Sequence, residues 1–149
     1  MGFQPKTGDV IRYDYLWADQ EKQGLEAGVK DRPCAVVIAM PFRQDQMRNV
    51  FVCAITHSRP EEGQSAIELT PKLSRHLGLD GERAWIKTHE VNVLEWGQNP
   101  PHGVTMTPKQ EWTYGQLPQA ITKQAQEQLQ RSIRDRRLRR VQRREEDVA

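Results

Sequence analysis

The sequence predicts a mainly β fold with a few helices, built as a small barrel or sandwich. Three observations predict it. Residues 33–40 and 50–56 are apolar runs, each the right length for a strand buried on both faces. Shorter β-like stretches at 10–15, 66–69, 84–87 and 91–96 are set off by glycine, proline and other turn-forming residues. Only one long helical pattern occurs, from Pro118 onward, so alternating βαβ units are not indicated.

Each element has a local reason. Gly8 and Asp9 supply a turn before a half-exposed strand, in which Ile11, Tyr13 and Tyr15 share one face and Val10, Arg12 and Asp14 the other. Residues 17–30 hold acidic side chains, two glycines and little to bury, which predicts a long mobile loop. The two buried strands follow, joined by a polar turn around Arg43 to Asn49. After the short strand Ala66 to Leu69, Thr70 and Pro71 read as an N-cap with proline at the first helical position, opening one or two turns that end near Gly78. Ala84 to Lys87 and Val91 to Trp96 are strand-like, and residues 98–103 form a loop. From Pro118, Ile121, Ala125, Leu129 and Ile133 recur every four residues, a stripe able to dock on the body.

A chain of 149 residues is one domain, here a body over 1–130 that includes the docking helix, and a tail over 131–149. Residues 117–149 carry nine Lys/Arg against five Asp/Glu, whereas residues 1–116 carry 13 against 15. Any electropositive surface on the body is therefore local. The tail, with eight arginines between 131 and 144, reads as an Arg-rich helical or disordered extension, solvated or in contact with nucleic-acid phosphates. No stretch approaches a membrane span of about 20 apolar residues, and the N-terminus has no apolar signal core. Cys34 and Cys53 fall inside buried strands as small hydrophobes, an arrangement expected of reduced thiols in the cytosol. No Cys/His spacing resembles a zinc site and no Gly-rich phosphate loop occurs, so neither a metal nor a cofactor is expected.

Arg32 begins the first buried run, and Thr56, His57 and Ser58 end the second. If the two strands are antiparallel neighbours, the start of one meets the end of the other. A guanidinium, two hydroxyls and an imidazole then share one patch, which suits a phosphodiester. The plainer alternatives are a surface ion pair for Arg32 and a turn hydroxyl for Thr56.

These residues carry a resemblance. Gly8 to Ile11 opening the first strand, a loop, Arg32 to Ile38, and Ala54 to Thr56 closing a later strand together resemble the PemK/MazF family of bacterial toxin–antitoxin systems. The likeness extends through Ile67 to Leu69, the short helix, and Trp85 to Trp96, covering residues 7–130. It implies a small SH3-like, CcdB/PemK-type β-barrel plus a C-terminal helix, forming a homodimer. It also implies a metal-independent endoribonuclease that cuts single-stranded RNA and is silenced by a cognate antitoxin protein.

By the same resemblance the family's arginine falls on Arg32, its threonine on Thr56, and the adjacent hydroxyl position on His57 or Ser58. An arginine and an aspartate that some members use fall on Lys87 and His89. Metal-free RNA cleavage needs a base for the 2′-hydroxyl, a cation for the charge on phosphorus and an acid for the leaving 5′-oxygen. Arg32 suits the cation role and Thr56 can donate to a non-bridging oxygen, while His57 or His89 can act as base or acid near neutrality. Ser58 and Lys87 are expected phosphate contacts, and Trp17, at the base of the loop, an expected stacking platform for a base. A non-catalytic nucleic-acid-binding module and a CcdB-like gyrase-binding toxin share the same expected architecture.

Overall fold

The two apolar runs are neighbours, and their pairing organises the molecule. The computed structural model describes residues 2–25, 28, 30–135 and 138–144. In chain order the elements are β1 (Asp9–Tyr13), α1 (Ala18–Lys22), β2 (Arg32–Ala39), β3 (Arg48–Thr56), β4 (Ala66–Leu69), α2 (Pro71–His76), β5 (Ala84–Lys87) and β6 (Glu90–Trp96). They continue with β7 (Val104–Thr105), β8 (Gly115–Gln116), α3 (Gln119–Arg134) and β9 (Arg139–Arg143). The strands form one nine-stranded sheet, ordered β4-β5-β3-β2-β1-β7, with β8 beside β1 and β6 beside both β3 and β9. All pairs are antiparallel except β6 with β9.

The centre of the sheet is β3. Its first half pairs with β6, as Val50 with Leu94, and its last two residues pair with β5, Ile55 with Ile86 and Thr56 with Trp85. This change of partner splits the sheet on one side of β3. The path does not close among the described residues, so the expected closed barrel is replaced by an open sheet. The end strands are only four and two residues long, too few rungs to join the two edges.

β2 is buried on both faces, as its composition predicts. Ala35 and Val37 enter a core with Leu69, Ile86, Ala125 and Leu129, whereas Cys34 and Val36 enter a second with Ile11, Tyr13 and Trp96. Burying each large apolar side chain of this kind contributes roughly 1.5–3 kcal/mol. Both cysteines are free and buried. Gly8 takes the left-handed turn into β1 with φ +97°.

The helices follow their signals with two corrections. In α2, Thr70 Oγ1 accepts from the Leu73 amide at 3.1 Å and Pro71 is the first helical residue. In α3, Ala125 and Leu129 face the core, but Ile133 is 52% exposed and Ser132 takes the inner position. A strict four-residue repeat drifts off the face of a helix with about 3.6 residues per turn. The expected loop over 17–30 contains helix α1, because Ala18 is buried and Gln20 Oε1 accepts from the Trp17 amide at 3.1 Å. Residues 26, 27 and 29 of that loop lie outside the described set.

The expected helical or disordered tail is corrected more strongly. After α3 the chain returns as β9, whose Val141 is fully buried opposite Asn92 of β6. The helix is the crossover that a parallel pair requires. Residues 136, 137 and 145–149 of the tail lie outside the described set.

Candidate active site

The β2–β3 register begins at Cys34 with Ala54, so the start of β2, with Arg32, and the end of β3, with Thr56, lie at the same end of the pair. On its other side Arg32 pairs with Tyr13 of β1, while Thr56 pairs with Trp85 of β5. At this strand end lies a cleft of about 340 Å³ whose lining includes Arg32, Thr56, His57 and Ser58, together with Lys30, Asp31 and Asp80. The four residues that the sequence placed in one patch share one cleft.

Arg32 is half-buried, and its guanidinium carbon lies 5.4 Å from the centre of the Trp17 ring. Trp17 is held edge-on against Tyr15, with ring centres 4.8 Å apart. No carboxylate among the described residues pairs with Arg32: the nearby Asp31 is 3.7 Å from Arg12 and accepts from Thr105 Oγ1. The Arg32 Nε is buried without a partner. Burial pulls its pKa below the usual guanidinium value, although the group remains a cation at working pH. A charge this poorly compensated favours an incoming anion. The surface ion pair considered for Arg32 is not what forms.

The threonine follows the plainer reading in part. Thr56 Oγ1 accepts from the Ser58 amide at 3.3 Å and lies 3.5 Å from the Ser58 carbonyl, so its hydroxyl closes a local turn at the strand end. Its side chain is 8% exposed, and the same turn presents the exposed Ser58 to the cleft.

His57 turns outward. Its Nδ1 is 2.7 Å from the Arg83 carbonyl and its Nε2 is 2.8 Å from Asp80 Oδ2, an arrangement that satisfies both nitrogens only when both carry protons. The bond to the Arg83 carbonyl raises the His57 pKa most, burial opposes it, and the Asp80 carboxylate adds to the rise. The imidazolium is therefore suited to donate a proton rather than to take one. Asp80 and Arg83, 23 and 26 residues from His57, belong to the site, and no sequence spacing announces them. His57, Asp80 and Glu82 also present ligating atoms within 4.8 Å of one another, the one such group among the described residues, and all three are exposed.

His89 and Lys87 are not brought to this cleft. His89 lines a separate hollow of about 200 Å³ with Gly63, Gln64, Ser65 and Ser132. Its Nδ1 is buried without a partner, and burial, with the charges of Lys87 and Arg139, lowers its pKa. Lys87 is 6% exposed, and burial lowers its pKa against the attraction of Glu61.

Comparison with family models, with curated proteins and with solved structures finds no match. Among the described residues no helix is long and apolar enough to cross a membrane.

Proposed function

We propose that this protein is a metal-independent endoribonuclease of the PemK/MazF type, the toxin of a toxin–antitoxin pair, acting on single-stranded RNA in the cytoplasm. The observation that carries the reading is the meeting of Arg32 and Thr56 in the lining of one cleft, with no carboxylate among the described residues paired to Arg32. In this reading the open sheet is a splayed relative of the family's SH3-like barrel, the active form is a homodimer, and the cognate antitoxin silences it by covering the cleft.

In the proposed reaction the 2′-hydroxyl gives up its proton to water, its oxygen forms a bond to phosphorus, and the bond from phosphorus to the 5′-oxygen breaks. The products are a 2′,3′-cyclic phosphate and a free 5′-hydroxyl. Arg32 binds the non-bridging oxygens as charge builds on them, with Trp17 behind it as a base platform. Ser58 binds a neighbouring phosphate. His57, held protonated by Asp80 and Arg83, gives its proton to the leaving 5′-oxygen.

The test is incubation of wild type and Arg32→Ala with a long single-stranded RNA in EDTA, with mapping of the cut ends. Discrete cuts ending in cyclic phosphate, lost in the variant, support the proposal. Intact RNA from a folded wild type, across several RNAs, overturns it.

A second reading, a nucleic-acid-binding module without chemistry on the same fold, is favoured by one observation: the Thr56 hydroxyl is already used in its own turn. Salt-sensitive RNA binding without products would select it. A CcdB-like, gyrase-directed action has no use for an uncompensated Arg32 in this cleft.

A further inference from the structure

Between the end of β1 and the start of α1 the chain has no strand to pair with. Several of its backbone groups are satisfied instead by side chains from β6 and β9. Asn92 of β6 accepts from the Leu16 amide at 3.0 Å and donates to the Leu16 carbonyl at 2.8 Å. Glu90 of β6 accepts from the Ala18 amide at 2.9 Å. From β9, Arg143 donates to the Asp14 carbonyl at 3.1 Å and stands 3.5 Å from the Asp14 carboxylate, while Val141 packs against Leu16 and Ala18. Arg139 meets Asp19 at 2.7 Å, but this pair is exposed and adds little.

The residue held in the middle of this segment is Trp17, whose ring lies against Arg32. We infer that Arg143 is a positioning residue for the Arg32 cleft: by binding Asp14 it fixes residues 14–19 on β6 and β9, and so holds Trp17 against the Arg32 guanidinium. The inference rests on the reading of that cleft as the RNA site. Arg143 fits the role because its side chain is 4% exposed, its guanidinium carbon is 5.1 Å from the centre of the Tyr13 ring, and its one carboxylate partner among the described residues is on the segment it fixes. A cation buried to this degree loses its compensation if the segment lifts away, so the segment and β9 hold each other in place.

The experiment uses the full chain as wild type, Arg143→Ala, Arg143→Lys, Asp14→Asn, Trp17→Ala and the double variant Arg143→Ala/Trp17→Ala. Backbone amide exchange is read by NMR, and affinity is read for a fluorescent single-stranded RNA. In Arg143→Ala the Leu16 and Ala18 amides exchange faster by roughly tenfold or more, while those of Val52 and Cys53 keep their rates. RNA affinity falls to the level of Trp17→Ala, the double variant binds no more weakly than Trp17→Ala alone, and Arg143→Lys recovers part of both readouts. Asp14→Asn, which leaves Arg143 in place, gives a smaller acceleration and keeps the test valid if Arg143→Ala does not fold. Unchanged exchange at Leu16 and Ala18 in the folded variants overturns the inference. So does RNA affinity that survives Arg143→Ala but is lost in Trp17→Ala. A wild type that binds no RNA overturns the site reading and the role of Arg143 with it, an outcome distinct from the other two.

Discussion

The guanidinium of Arg32 lies 5.4 Å from the centre of the Trp17 ring, and no carboxylate among the described residues compensates it. A half-buried cation supported by an aromatic ring, in the lining of a cleft, is poised for an anion and contributes little to stability by itself.

The first prediction follows from that geometry. Arg32→Ala is expected to lower RNA cleavage by about a hundred- to thousandfold while changing stability by less than about 1 kcal/mol. Arg32→Lys keeps the charge but loses the planar fork, and should recover only a minor part of the activity. Single-turnover cleavage and urea unfolding measure the two effects separately.

Thr56 should divide the other way. Because its hydroxyl accepts from the Ser58 amide, Thr56→Val is expected to cost about 1 kcal/mol of stability. Cleavage should fall far less than in Arg32→Ala. Equal losses of activity in the two variants would assign the hydroxyl to the phosphate instead of the turn.

The two histidines should titrate on opposite sides of the ordinary 6.5. For His57 the bond to the Arg83 carbonyl, with Asp80, raises the folded-state value. Its contribution to stability is therefore complete below pH 6.5 and is lost as pH rises through the raised midpoint. Asp80→Asn should lower that midpoint. His89, buried beside Lys87 and Arg139, is lowered, so its effect on stability has the opposite sign and appears as a loss when pH falls below 6.5. Imidazole resonances followed by NMR from pH 4.5 to 8.5 test both directions.

Glu90 supplies a prediction away from the cleft. Burial raises its pKa against the opposing bond from the Ala18 amide, so its ionisation on folding is unfavourable and stability declines as pH rises from 4.5 through the raised value. Glu90→Gln keeps an oxygen for the Ala18 amide and removes the charge. Thermal unfolding at pH 5 and pH 8 should show a smaller difference in Glu90→Gln than in wild type.

Much of the sheet was legible in the sequence because β2 and β3 are buried on both faces and therefore continuous apolar runs. The meeting of Arg32 with Thr56, His57 and Ser58 was legible too, since antiparallel pairing of those runs leaves one outcome for their ends. The N-cap at Thr70 marked α2 for the same reason of local chemistry. The arginines hid β9. Val141 is its one apolar residue, and Arg139 and Arg143 are placed by partners more than 100 residues away, which no local pattern encodes. α1 was hidden similarly, since Ala18 is buried in a cluster that needs Val141 of β9 as well as Leu16 beside it. The positions of His89 and Lys87 depended on how far β3 shares its side between β6 and β5, a property of sheet geometry that spacing along the chain does not contain.

That Arg139 and Arg143 reach residues 120 and 129 positions earlier has a consequence for the order of assembly. On a ribosome the strands through β6 emerge well before β9, and the early part of the sheet can pair while residues 14–19 still lack their partners. Loop closure over such a distance is slow compared with local pairing. The aromatic support of Arg32 is thus among the last features a newly made chain acquires, and under the proposed ribonuclease reading its own messenger RNA stays intact until β9 has been delivered.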